Sequence, residues 1–181
     1  MARADAAAAL PPDTREDGAA TVEFVLLLPV FLLLFISTME SSIMLYRQVM
    51  LERAVDIASR QVRLDTRSDI GSDDLKEMIC EEARILGDCE RNLVVELQLV
   101  NTVTYAMPDF AQPCFNRATS TLTATPIYVA SDRASQIMTL RACYSADPLL
   151  PTTGLGAQLV ADGDAEGIRI IAATAFRVEP P

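Results

Sequence analysis

The chain contains no histidine, which removes the side chain that titrates nearest neutral pH and the commonest metal ligand. Catalysis by a histidine-dependent triad is excluded. Lysine is almost as scarce: Lys76 stands alone among fifteen basic residues, and the Arg bias with abundant Ala reads as the codon usage of a GC-rich bacterial genome. Twenty-five acidic residues outweigh those fifteen, giving a net charge of −10 and a pI near 4.4. Phosphate binding needs clustered Lys and Arg, so this balance argues against a nucleic-acid partner; acidity here mainly favours solubility. Other motifs are incomplete. The four cysteines lack the close pairs, two to four residues apart, of a zinc site. Asp162-Gly163-Asp164-Ala165-Glu166-Gly167 copies the first half of a calcium loop, but position twelve, which should be Glu, is Ala173; it reads as a solvated acidic turn. Gly154-Leu155-Gly156 lacks the third glycine and the preceding strand of a dinucleotide fingerprint and also reads as a turn. With no Walker, nucleophile-elbow or zinc-protease motif, the sequence points to no cofactor and no enzyme.

Half of the 181 residues are hydrophobic, enough for one membrane segment and one modest folded domain of about 100–120 residues. The apolar run from Phe24 through Pro29 to Ile36 continues uncharged to Met39 and is bracketed by Glu23 and Glu40. With Ala19 to Thr21 and Ser41 to Tyr46 added, it approaches the ~20 residues that cross a bilayer as a helix. A cleaved secretory signal would carry a basic leading region and a small-x-small site after its core. Here Arg3 and Arg15 face Asp5, Asp13, Glu16 and Asp17, and no such site follows Ile36. A buried core helix is the other alternative, but a Leu-rich run near an N-terminus favours the membrane. Pro29 would cost ~3 kcal/mol in a soluble helix, whereas a membrane helix tolerates it with a bend. Glu23 is the anomaly: an unpaired charge at the centre of a membrane helix costs about 2.5–3.5 kcal/mol, less near the interface, so the residue calls for a partner.

Beyond Ser42, Met44, Leu51, Val55, Ala58 and Val62 recur at helical spacing among polar residues, and no Gly or Pro intervenes between Val30 and Ile70. A continuous helix from about Ala19 to Leu64 would be roughly 70 Å long. Its second half would serve either as a projecting spine or as the core helix of the following domain. Ser68 to Ser72 reads as a loop. Asp74 with Glu77 resembles a capping box opening a short helix through Leu86, ended by Gly87. Leu93 to Val100, continuing through Tyr105, then Met138 to Tyr144 and Gly167 to Val178, read as strands; Pro108 to Pro126 shows no clear pattern. Cys80, Cys89, Cys114 and Cys143 allow three pairings. Cys80 with Cys89 and Cys114 with Cys143 is favoured, each worth about 2.5–3.5 kcal/mol in the chain-entropy model; free buried thiols are the alternative. Orientation is contested. Arg47, Arg53, Arg60, Arg63 and Arg67 follow the apolar run, and the positive-inside rule would keep them in the cytoplasm. Interleaved acids and the cysteines favour placing the C-terminal part outside.

Asp17-Gly18-Ala19-Ala20-Thr21-Val22-Glu23-Phe24 resembles the leader junction of type IV pilins, and with Leu28-Pro29 it is more narrowly similar to the TadE family of minor pilins, or pseudopilins, of the tight-adherence pilus. Asp147-Pro148-Leu149-Leu150-Pro151 with Gly154-Leu155-Gly156 resembles that family's Pro-rich turn, and Ala172 to Pro180 its closing strand; the segment from about Cys80 to Cys143 is outside the resemblance. The resemblance implies a cytoplasmic leader over residues 1–18, cut after Gly18 by a prepilin peptidase, and a new amine at Ala19. Glu23 then pairs with the amine of a neighbouring subunit. Together with the residue patterns above, the organisation expected is a transmembrane helix continuing as an amphipathic spine over residues 19–65, and a small extracytoplasmic α+β domain over 66–181 with a short helix and an antiparallel sheet. The protein would sit in the bacterial inner membrane, its partners being other pilin subunits and the pilus assembly platform. A single-pass anchored binding or sensor domain, never processed, is the alternative.

Overall fold

One helix, α1 (Thr14–Leu64), runs for 51 residues without a break. The computed structural model describes residues 14–64, 70–100, 103–104, 115–116, 121–122, 136–162 and 168–177. The helix therefore starts five residues ahead of Ala19 and crosses the Gly18–Ala19 peptide bond. It passes through Pro29 as one element, although proline has no N–H to give the Val25 carbonyl. Its two halves live in different surroundings. Residues 20–35 are exposed on every face, whereas Leu51, Ala54, Val55, Ala58 and Val62 are among the most buried residues of the molecule. The second half is thus both the continuation of the first and the core helix of the domain.

Around it fold α2 (Ser72–Glu82), the single turn α3 (Cys89–Asn92), β1 (Leu93–Leu99), the two-residue strands β2 (Phe115–Asn116) and β3 (Thr121–Leu122), β4 (Ile137–Ala146), α4 (Gly154–Asp162) and β5 (Ile168–Arg177). β1, β4 and β5 form an antiparallel sheet in the order β1-β4-β5, and β2 pairs with β3 separately. Period-two alternation sorts the side chains. Leu93, Val95, Leu97, Met138, Leu140, Ala142, Tyr144, Ile170 and Ala172 face the core with α1 and with Leu75 and Ile79 of α2. Val94, Glu96, Thr139, Arg141 and Cys143 occupy the opposite face and are buried as well. There Glu96 and Arg141 stand directly across from each other and form a 2.9 Å ion pair, a partnership the alternation alone did not single out.

Several boundaries differ from the sequence reading. β1 stops at Leu99, and Val103 and Thr104 lie in a turn. α2 ends at Glu82 rather than Leu86. Its N-terminal device is shifted three residues: the Gly71 N–H donates to the Asp74 carboxylate at 2.9 Å, and Glu77 takes no part. The early stop of α2 follows from the disulfide between Cys80 and Cys89, whose Cα atoms are 5.7 Å apart. A helix carried on to Leu86 would end about 9 Å beyond Cys80 and leave only three residues to bring Cys89 back. The chain reverses instead through a turn whose Asp88 adopts φ 47°, a left-handed conformation Asp tolerates better than most residues. The Tyr144 hydroxyl donates to the Gly87 carbonyl at 2.7 Å and ties that turn to the sheet. Cys143 is also disulfide-bonded; Cys114, the partner favoured for it, lies outside the described residues, as do most of Pro108 to Pro126, residues 163–167 of the acidic turn, and Arg67.

Candidate functional site

The exposed half of α1 is the first part of the site. Among the described residues it is the one helix long and apolar enough to cross a membrane, and none of its most apolar stretch is buried. Phe24, Val25, Leu26, Leu27, Phe31, Leu34 and Phe35 are each more than half exposed. In water such a surface is unfavourable by about 25 cal/mol per Å² of apolar area, so its exposure marks a surface that another apolar phase covers. Glu23 lies at the start of this stretch, exposed, with no partner among the described residues. Gly18 and Ala19 lie on the backbone of α1 just before it. In the intact chain Ala19 has an amide nitrogen rather than an amine, so the Ala19–Glu23 pairing has no charged partner until the chain is cut.

The second part is the junction between span and domain, organised by the other bracketing carboxylate. Glu40 is 1% exposed. Its oxygens accept the backbone N–H groups of Leu149, at 2.8 Å, and Leu150, at 3.2 Å. Hydrogen bonds to an ionised acceptor are about twice as strong as neutral ones, and here they pin the Asp147–Pro151 turn onto α1. Arg47, seven residues further along the same helix, donates from an Nη to the Asp147 carbonyl at 2.8 Å. Gln48 donates to the Ile171 carbonyl of β5 at 3.0 Å. The sequence reading treated Glu40 only as the end of the apolar run; two carboxylates bracketing that run were visible, but the fate of the second depended on a turn more than a hundred residues away.

The two glycines after that turn make its close approach possible. Gly154-Leu155-Gly156 is not a turn but the start of α4. Gly154 has φ +57°, and a Cβ there would lie 2.8 Å from Ser37 Oγ and 3.8 Å from the Leu33 carbonyl oxygen and an Ile36 methyl. A Cβ on Gly156 would collide with the Leu150 carbonyl oxygen. Only glycine allows both contacts. α4 is thereby seated on α1 at the level of Leu33 to Ser37, inside the apolar run.

Of the arginines that follow the run, Arg47 is held by the domain through the turn, and Arg60 pairs with Asp56 at 2.8 Å in largely exposed surroundings. Arg47 is thus committed to the domain, whereas the Arg60 pair lies on the solvated face of α1. A groove of about 560 Å³ where the end of α1 meets β5 is lined by Asp56, Arg60, Arg63 and Phe176; such solvated pairs are worth little. Among the described residues no group of three or more His, Cys, Asp or Glu side chains comes together as a metal site.

No curated protein matches the chain, and no solved structure does. Residues 18–60, from the Gly18 junction through the domain-core half of α1, match the family described as TadE-like protein, so that this spine is similar to that family.

Proposed function

We propose that the protein is a minor pilin, or pseudopilin, acting in assembly of a tight-adherence pilus, cut after Gly18 by a prepilin peptidase, with its α+β domain outside the cytoplasmic membrane. The observation that carries this is a coincidence of position: the TadE-like match starts at Gly18, and the exposed apolar run of α1 begins six residues later, at Phe24, directly after Glu23. In this reading a freed Ala19 amine on a neighbouring helix neutralises Glu23. Exposed Met39, Leu45, Tyr46 and Val49 prolong the apolar face along α1 beyond the span at helical spacing, which gives side-by-side helices a shared contact line. The Cys80–Cys89 disulfide favours an oxidising compartment for the domain, and we weigh it above the Arg bias, in which Arg47 is held by the domain and Arg60 is offset by Asp56. Gly18 is also the weakest helix former around the junction, by about 1 kcal/mol relative to Ala, which eases local opening for a peptidase.

N-terminal sequencing of the membrane-fraction protein tests the reading. Cells with an active peptidase are expected to yield a mature chain beginning at Ala19, and Gly18→Leu to leave the leader attached as a slower band on a gel. A full-length wild-type chain in such cells would assign a simple anchored domain instead. A mature terminus beyond Ile36 would assign a secreted protein.

A further inference from the structure

We propose that the segment from Pro148 to Ala161, the turn and α4 together, is a membrane-contacting foot that lies in the headgroup and acyl boundary of the leaflet on the domain's side. The inference rests on α1 crossing a bilayer, but not on leader processing or pilus assembly. The uncharged run between Glu23 and Glu40, Phe24 to Met39, is 16 residues, roughly 24 Å of helix. The hydrocarbon core is about 30 Å thick. A core of that depth takes in the whole run, and the leader side offers no further apolar helix, since Glu23 closes the run there and Asp17 and Glu16 follow. Ile36 to Met39, about 6 Å of the run on the domain side, are therefore immersed.

That turn of helix is not bare. Gly154 packs against Ser37, Ile36 and Leu33, and Leu149 and Leu150 are held at Glu40. Immersing Ile36 to Met39 therefore immerses the foot with them, to the 5–10 Å depth typical of interfacial helices. Its composition suits that depth. Between Asp147 and Asp162 there is no charged residue, and Leu149, Leu150 and Val160 are 49%, 38% and 48% exposed. The hydroxyls of α1 at this level are satisfied within the helix: Thr38 donates to the Phe35 carbonyl, Ser41 to that of Ser37 and Ser42 to that of Thr38. None needs water. The carboxylate of Glu40, the one charge at this depth, is enclosed by the turn's N–H groups.

The chain has no tryptophan, so variants carrying one indole each report on single positions. Leu149→Trp, Val160→Trp, Phe31→Trp in the span and Val103→Trp, at a residue 87% exposed, would be made in the full-length chain and reconstituted in phosphatidylcholine vesicles. Retention of the disulfides checks folding. The Leu149→Trp and Val160→Trp variants are expected to emit at shorter wavelength than Val103→Trp, to be quenched several-fold less by aqueous iodide, and to be quenched by lipids brominated near the headgroup, all unchanged on dilution with lipid. Iodide quenching of both foot variants equal to that of Val103→Trp, with Phe31→Trp still lipid-quenched, would overturn the foot and leave the span standing. Shielding lost on lipid dilution would show that a second copy covers the surface and would also overturn it. Iodide access to the indole of Phe31→Trp would overturn the span itself, and the foot with it.

Discussion

At Glu40, two backbone N–H groups converge on one buried carboxylate, whereas at Glu23, seventeen positions earlier, an identical side chain stands exposed. Both bracket the apolar run, but only the first has its interactions met within the chain. Glu40→Ala removes the acceptor for the Leu149 and Leu150 N–H groups, and an unsatisfied buried donor costs about 1–3 kcal/mol. Because both donors are only partly buried, a total of about 2–4 kcal/mol is expected, with Glu40→Gln, which keeps one acceptor oxygen, costing about 1 kcal/mol. For a protein of this size each kcal/mol moves the melting temperature by roughly 2–4 °C. Thermal unfolding in detergent micelles should therefore rank wild type above Glu40→Gln above Glu40→Ala, and an unchanged midpoint for the alanine variant would show that the turn docks without the carboxylate.

Among the elements, α4 is the most constrained by its neighbours. A methyl on Gly156 meets the Leu150 carbonyl, a backbone atom that moves only if the whole turn moves. Overpacking of this kind costs about 1–3 kcal/mol, against a gain of about 1 kcal/mol when alanine replaces glycine in a helix, so the sign is destabilising. Hydrogen exchange of the α4 amides is expected to quicken in Gly156→Ala and to stay unchanged in Gly87→Ala, where an added Cβ meets nothing within 4 Å; equal exchange in both variants would remove the contact from the account. The same glycines explain why α4 was not legible in the sequence. Taken locally, Gly154-Leu155-Gly156 is a turn signal, and its true use depends on Ser37 and Leu150, which no local pattern contains. α1, β1, β4 and β5 were legible because each is dominated by one period of apolar residues. The end of α2 was misread because Gly87 is a better local stop than Ala83, while the real constraint is the bond from Cys80 to Cys89. Glu96 with Arg141 escaped notice for a related reason: each fits its own strand, and only register sets them opposite.

At the scale of the whole molecule, one helix joins two environments: the exposed apolar stretch up to Phe35 and the buried core positions Leu51 to Val62 lie on the same unbroken element. Such a shared axis suits the side-by-side assembly of subunits proposed above. Glu23 is the one charge that such assembly must resolve, and it makes no contribution to the domain. Glu23→Ala is accordingly expected to leave membrane insertion, leader cleavage after Gly18 and the melting temperature of the domain unchanged while abolishing surface pili, scored by electron microscopy and by immunoblot of the sheared surface fraction. Removing the charge also makes the span more apolar, so loss of pili cannot be ascribed to a weaker membrane anchor. Normal piliation in this variant would separate Glu23 from assembly and leave the shared apolar face of α1, from Phe24 to Val49, as the contact that carries it.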